Sequence, residues 1–319
     1  MNRKPLFYEL PSYFYMSHSL PERFKARYSQ LVDDPDAFFT CLRSMPPKSF
    51  RVNTLKTSVD LVKARFEGYG IPIKPMPWYE HAFTSEHLDI GSSLEHFMGH
   101  IYFQELGSML PPLLVRPELE YANRVLDTCA APGSKTTQLA ALMENHGVIV
   151  ANDVDYSRIR ALKFNLEKTG TLNTVVTNQN LMHFPKLEFD VILVDVPCSA
   201  EGTIRKSDSV LSIWSEKIIK HHARLQKQLL LKAFDLLSPD GILIYSTCTF
   251  APEENEEVIS TLIDQREAIL EDIQIPNMKI TNGIEEWDGV QFPSELKKTV
   301  RIWPHHNNSD GFFLARVRK

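Results

Sequence analysis

Between Arg124 and Ile263 short apolar runs alternate with longer amphipathic ones, and this rhythm restricts the fold more than any other feature of the chain. The apolar runs read as strands over Arg124–Asp127, Val148–Asn152, Thr174–Thr177, Phe189–Val194 and Gly241–Thr247. Apolar residues at three- and four-residue steps predict helices over Ser134–Met143, Tyr156–Lys168, Glu216–Leu237 and Glu253–Ile263. Strands joined through helices pair in parallel, because a tight hairpin can join only antiparallel neighbours. The expected class is therefore α/β, with a doubly wound, mainly parallel sheet. The final stretch, VRIWPHHNNSDGFFLARVRK, predicts two strands about a polar turn, an antiparallel hairpin at the sheet's edge.

Upstream the pattern is less regular. Residues 1–45 read as helical, with apolar steps over Pro21–Leu31 and Asp36–Arg43 around the break DDPD. After Pro46-Pro47, Ser49–Leu55 alternates like a strand, and Ser58–Tyr69 is a helix opened by Ser58 and ended at Gly70. A strand near Ile71–Ile73 follows, then a strand at Ile101–Phe103 and a helix over Ser108–Leu114. The expected division is a helical segment (1–45), a small α/β, RRM-like subdomain (46–115) and the larger α/β domain of the alternation (116–319). Arg51, Lys48, Lys56, Lys63 and Lys74 with Phe50 and Phe66 form a mixture that suits RNA, and equally an ordinary solvated surface.

Composition excludes several classes. No run of about 18 apolar residues exists, so no membrane span is expected. MNRKPLFYELPSYFYM lacks the apolar core and cleavage site of a signal peptide, so a cytoplasmic protein is expected. Cys41, Cys129, Cys198 and Cys248 include no C-x-x-C pair, against both a disulfide framework and a zinc site. His221-His222 and His305-His306 are adjacent rather than four apart on a helix, so no metal is expected. The net charge is −5, but residues 251–300 hold 12 acids against 4 bases, which leaves the rest slightly positive. Bulk charge thus neither supports nor excludes an RNA partner.

The first strand of the alternation runs into Asp127–Thr136, DTCAAPGSKT, a turn of small residues that opens a helix. Such a turn brings a ligand to backbone amides and a helix N-terminus. It lacks the adjacent Gly-Lys of a P-loop and the three glycines of a dinucleotide fingerprint. S-adenosylmethionine fits better, since one glycine suffices when no pyrophosphate has to be cradled. The second strand ends at Asn152-Asp153, with the acid about 20 residues beyond the turn, where a carboxylate accepts ribose hydroxyls. That spacing serves NAD as well, and Asp153 also suits a helix N-cap. Asn180, after the third strand, is placed for an adenine edge.

Two further strands end in thiols. FDVILVDVPCS carries Asp195 and Cys198 at its exit, and DGILIYSTCTF carries Cys248. In open α/β sheets these ends line the ligand crevice. Carbon C5 of a pyrimidine is a poor nucleophile, and addition of a thiolate to C6 activates it. Asp195 suits the N3/N4 edge of the base. Methylation of an exocyclic amine needs no thiol and usually presents an aromatic residue after the prolines; Asp-Val-Pro-Cys points to carbon instead. One such cysteine alone would read as a small buried hydrophobe, a reading that two thiols flanking one site make much weaker. Cys41 and Cys129 receive no chemical role.

These residues resemble the Nol/Nop/Sun family of RNA (cytosine-5) methyltransferases. The matching stretches are DTCAAPGSKTTQLA, Asn152-Asp153 with Arg158, DVPCSAEGTIRK, STCTFAPEENEEVI and DGFFLA; FRVNTLK and YFQELGSMLP resemble the family's preceding subdomain. The resemblance covers roughly residues 45–319. It implies a class I methyltransferase fold (Rossmann-like, seven-stranded, mainly parallel), S-adenosylmethionine as donor and RNA as substrate. It makes Cys248 the nucleophile at C6 and Cys198 the thiol that helps resolve the adduct. It puts Asp195 on the target cytosine and Lys135 in the same space. Asp153 then holds the ribose, and the turn through Cys129, Ala130, Ala131, Pro132 and Gly133 lines the methionine end. Lys135, Arg158, Asn180 and Asp195 complete the expected donor site. Most relatives carry an acid at Asn180, so weaker donor binding is expected; Ala251 replaces a serine or threonine and is expected to touch only a helix cap. The resemblance implies a compact, monomeric, archaeal-type tRNA methyltransferase. Ribosomal RNA is the alternative substrate. A non-catalytic RNA-binding assembly factor would have lost a thiol, Asp195 or the donor turn, and none is lost.

Overall fold

The structure, a computed structural model, describes residues 19–319, apart from the side chains at 88 and 89. The expectations for residues 1–18 lie outside this range. Two short helices, α1 (Glu22–Tyr28) and α2 (Pro35–Leu42), come first, α2 capped by Asp34 and started by Pro35. Their apolar faces do not stand alone. Phe24, Tyr28, Phe38 and Leu42 pack with Phe250 and Trp303, directly behind the Cys248 segment.

The next unit is a four-stranded antiparallel sheet. Strand β1 (Lys48–Val52) leads to α3 (Val59–Gly68), β2 (Lys74–Met76), β3 (Tyr79–Ser85), α4 (Leu94–Phe97) and β4 (Ile101–Phe103), in the spatial order β2-β3-β1-β4. This is the β-α-β-β-α-β arrangement of RRM-like folds. Ser58 caps α3 by accepting from the Leu61 N–H. The second strand starts at Lys74 rather than Ile71, because the Ile71 N–H closes the helix end on the Phe66 carbonyl beside Gly70. Phe50 and Phe66 form the core of this unit with Phe83, and Arg51 is fully buried. The RNA-like mixture expected here is thus corrected: three of its members face inward. The helix expected over Ser108–Leu114 is broken into a 3-10 turn at Gly107–Met109, α5 (Leu110–Leu113) and then α6 (Arg116–Leu119), prolines sitting in the first turn of both helices.

The large sheet follows the predicted alternation: β5 (Arg124–Asp127), α7 (Ser134–Leu142), β6 (Val148–Asn152), α8 (Tyr156–Thr169), β7 (Thr174–Thr177) and β8 (Phe189–Asp195). Helices α9 (Ser209–Ile213) and α10 (Glu216–Asp235), strand β9 (Leu237–Thr247), α11 (Glu256–Gln265) and β10 (Ile269–Glu271) come next. The chain ends with β11 (Thr281–Asn282), the separate hairpin β12 (Glu286–Trp287) and β13 (Val290–Gln291), then β14 (Val300–Ile302), α12 (Pro304–Asn307) and β15 (Phe312–Arg318). Strands β7-β6-β5-β8-β9 are parallel and continue into antiparallel β15 and then β14, which reverses again to run with the parallel set, the seven-stranded class I methyltransferase order, with β11 and β10 as additions. The final strand is not an edge. It inserts between β9 and β14, as its nearly continuous buried face demands.

Period-two alternation builds a core on each face. Ile192, Val194, Leu243 and Tyr245 point to one side, Val191, Leu193, Ile242 and Ile244 to the other. Each such aliphatic side chain contributes roughly 1.5–3 kcal/mol by burial. The same alternation fixes which residues emerge where β5, β8 and β9 end, and so aims Asp127, Asp195 and Cys248 at one place.

Candidate active site

The carboxyl ends of β5, β8 and β9 open into one cavity of about 260 Å³. Its wall includes Asp195 and Cys248, the turn from Cys129 to Pro132, Lys135, Arg158, and Asp310 with Phe312 from the start of β15.

The two strand-end thiols meet here. Cys198 Sγ lies 3.1 Å from Cys248 Sγ, and neither is in a disulfide. The hydrogen bond to Cys248 and then burial push the Cys198 thiol well above its ordinary range. Cys198 therefore keeps its proton, and its sulfur lies within hydrogen-bond reach of the Cys248 sulfur. The Cys129 thiol is pushed up to about 12, chiefly by burial, and is an inert part of the wall.

Beside the thiols, Asp195 is held from two sides. Its Oδ2 accepts from Lys135 Nζ at 2.6 Å and its Oδ1 from Ser246 Oγ at 2.7 Å. Lys135 also donates to Ser108 Oγ at 2.9 Å, on the segment leading out of the small sheet. A carboxylate and an ammonium fixed side by side suit a pyrimidine edge: one accepts from an amino group, the other donates to a ring nitrogen.

The donor turn is built by Gly133, whose φ of +106° suits glycine and where a Cβ would come within 2.9 Å of Leu162 Cδ1. It leads directly into α7, so that helix's N-terminal amides face the cavity. Asp127, at the end of β5, bonds Thr136 through Oδ2, while its buried Oδ1 has no hydrogen-bond partner. Burial pushes its carboxyl up to about 6. An unpartnered carboxylate oxygen at this wall fits the ammonium end of an S-adenosylmethionine molecule.

The remaining expected donor residues are placed differently. Asp153 is buried, accepts from the amides of Ala131 (3.1 Å) and Asp155 (2.9 Å), and pairs with Arg158 at 3.4 Å. Arg158 in turn bonds the Ala131 carbonyl. Asp153 therefore closes the donor turn, and the helix cap that it could have supplied belongs to Asp155. Asn180 is exposed and accepts from the Met182 N–H. Neither Asp153 nor Asn180 is on the cavity wall. Ala251 is not a helix cap either: it is fully buried, its N–H on Thr249 Oγ1, and Asn255 precedes α11.

Sequence reasoning misses the burial of several carboxyls around the site, among them Asp127, Glu201, Glu254 and Asp310. Burial raises each of them, Glu254 and Asp310 to about 7. Asp310 pairs with Lys206 at 2.7 Å on the cavity wall. The motifs contained them, yet an acid in a polar stretch reads as solvated, and only the packed loops reveal otherwise. His305 and His306 both point Nε2 at Asp33, each at 2.9 Å, with Lys279 on the same carboxylate at 3.2 Å. Asp33, His305 and His306 form the one group among the described residues that could gather around a metal ion.

The sequence profile of the family described as 16S rRNA methyltransferase RsmB/F matches residues 114–318, and that for the N-terminal domain of 16S rRNA methyltransferase RsmF matches residues 20–106. The chain is 40% identical over 298 residues to tRNA (cytosine(49)-C(5))-methyltransferase of Pyrococcus abyssi, covering 92% of this chain and 94% of that protein. It is 38% identical over 314 residues to ribosomal RNA small subunit methyltransferase F of Vibrio atlanticus, which is 94% of this chain and 64% of that longer relative. A solved methyltransferase homologue from Pyrococcus horikoshii superposes with a TM-score of 0.82 at 36% identity, over 92% of this chain and 93% of its own.

Proposed function

The chain belongs to the RsmB/F (Nol/Nop/Sun) family, an S-adenosylmethionine-dependent RNA cytosine-5 methyltransferase, and from that premise we propose that its substrate is tRNA and its nucleophile Cys248. The observation that carries the catalytic assignment is that Cys248 shares the cavity wall with Asp195 and Lys135 and has Cys198 Sγ 3.1 Å behind it. The tRNA assignment is supported by the 40% identity to a tRNA enzyme across 94% of that enzyme's length.

When bound, the donor supplies a methyl group on a sulfonium, electrophilic enough for an activated carbon to take. Cys248, as thiolate beside the Cys198 S–H, adds to C6 of a cytosine turned out of its stack. Its sulfur forms the S–C6 bond, and the C5=C6 electron pair becomes available at C5 while charge grows toward N3 and O2. The Lys135 ammonium is placed to stabilise that charge, and Asp195 accepts from the N4 amino group and so favours cytosine over uracil. Once C5 carries the methyl group, water acting as base takes the C5 proton, the freed C–H pair restores the C5=C6 double bond, and the Cys248 sulfur leaves with the S–C6 pair as a thiolate. Cys198, holding a proton 3.1 Å away, steadies that departing thiolate through its S–H and so returns the pair to its starting state. Asp127 and the Ala130–Gly133 backbone hold the methionine end, and Asp153 with Arg158 keeps that turn closed around the ribose side.

No helix among the described residues is long and apolar enough to cross a membrane. We assign the enzyme to the cytoplasm, where tRNA is processed, and to action as a monomer. The division at residues 46 and 116 into helical, RRM-like and catalytic parts belongs to the same proposal.

Bisulfite sequencing of tRNA and ribosomal RNA after reaction with purified enzyme tests it. A protected cytosine in tRNA is expected; protection confined to ribosomal RNA would replace the substrate. With the same tRNA, Cys248→Ala should abolish transfer while donor binding stays near wild type. Cys198→Ala should accumulate a denaturation-resistant protein–RNA adduct, and the opposite pattern would exchange the two thiols' roles.

A further inference from the structure

Two buried carboxylates that the methyl-transfer chemistry does not use lie behind the thiols. Glu201 follows Cys198 by three residues, yet it grips the other thiol's segment. It accepts from Thr249 Oγ1 at 2.7 Å and from the Phe250 N–H at 3.2 Å, immediately after Cys248. Tyr28 and Trp214 donate to it from behind, at 2.6 and 2.5 Å. Glu254 follows Cys248 by six residues and reaches the opposite way. It accepts from the Ser199 N–H at 3.0 Å, immediately after Cys198, and from Gln226 Nε2 at 2.8 Å. Its other oxygen has no partner.

The crossing continues between these anchors. Ser199 Oγ and Thr249 Oγ1 are 2.7 Å apart, and the Gly202 N–H donates to the Cys248 carbonyl at 2.8 Å. A side chain at Gly202 would collide with the Gly311 and Cys248 carbonyls, so the segments touch backbone to backbone. Both carboxylates are fully buried and neither is on the cavity wall. Two acids in one dry region oppose each other's ionisation, and burial raises both. Such an arrangement is expensive merely as a way to hold two loops.

We propose that Glu201 and Glu254 are crossed positioning residues, each fixing the thiol carried by the other's segment, and together setting the gap between Cys198 and Cys248. Glu201 thereby controls attack by Cys248, and Glu254 controls release through Cys198. The assignment rests on the thiol roles proposed above, and its consequence is counter-intuitive: the acid beside the resolving cysteine governs bond formation, and the acid beside the nucleophile governs bond breaking.

Rapid-quench denaturing gels on tRNA, which follow appearance and decay of the covalent adduct, separate the two steps. Glu254→Gln should form adduct at close to the wild-type rate and resolve it about 100-fold more slowly, the loss expected for a displacement of about 1 Å. Glu201→Gln should form it about 100-fold more slowly and resolve normally what forms. KM for tRNA and donor affinity should stay unchanged in both. Equal slowing of both steps in both variants, no slowing in either, or the reversed assignment would overturn the proposal. If Glu201→Gln does not fold, Thr249→Val removes one strand of the same grip and should show the same attack defect. Cys248→Ala and Cys198→Ala run alongside: failure of those two would sink the thiol assignment, whereas failure of the glutamate variants alone would sink only the crossed grip.

Discussion

Cys129, Cys198 and Cys248 line or flank one cavity, yet their surroundings give them different chemistry. Burial leaves Cys129 a neutral wall, and the sulfur–sulfur hydrogen bond makes Cys198 the proton holder. The two strand-end thiols were legible in the sequence because a strand's exit is a fixed point that hydrophobic runs disclose. Asp127 was not, because an acid at the same kind of exit looks the same whether buried or wet. Its carboxyl rises from an ordinary 3.8 to about 6. A native pKa above the unfolded one means that the folded state holds its proton longer, so stability falls as pH rises between those values. Melting temperatures should therefore show wild type losing ground to Asp127→Asn from about pH 4 to about pH 7, with parallel profiles counting against the buried carboxyl. Lys135→Met, read by steady-state kinetics, should lower kcat by about 100-fold or more if the ammonium stabilises developing charge. An unchanged kcat would restrict Lys135 to holding Asp195.

At the scale of elements, periodicity disclosed the five parallel strands, the two closing strands and helices α7, α8, α10 and α11, but not β10 or β11, and local bonding displaced some of their ends. Helix α11 starts at Glu256 instead of Glu253 because Ala251–Asn255 form a turn tied to Thr249 and to the chain's own carbonyls. Strand β15 entered the sheet's interior because FFLARVR is apolar on both faces for most of its length, a cue that alternation with helices obscured. The acidic stretch after Cys248 likewise turned inward. Glu256 pairs with Arg301 of β14 at 2.7 Å, both buried, and the same arginine donates to the Phe250 carbonyl. Arg301→Met should cost about 3–5 kcal/mol in urea unfolding by stranding Glu256, and Glu256→Met on top should restore much of it. Gly133→Ala should destabilise by about 1–2 kcal/mol through its left-handed backbone and weaken donor binding with it.

Across the whole molecule, the small sheet is docked rather than tethered. Arg51 sends its guanidinium from β1 to Gln104, to Thr137 of α7 and to the Ser134 carbonyl at the donor turn. Lys135 completes the link through Ser108. The small sheet and the N-terminus of α7 are thus registered against a shared frame, which composition could not reveal because a buried arginine counts the same as an exposed one. The helices α1 and α2 brace the other side, where Tyr28 reaches Glu201. All of this converges on one sulfur atom. The most direct measurement is a peptide map of the adduct trapped on tRNA carrying 5-fluorocytidine, whose C5 fluorine cannot leave as a proton would. The nucleotide should be found attached to Cys248, in a complex that forms only with donor present and persists through denaturation. Attachment to Cys198, or no adduct from an enzyme that still methylates ordinary tRNA, would contradict the account.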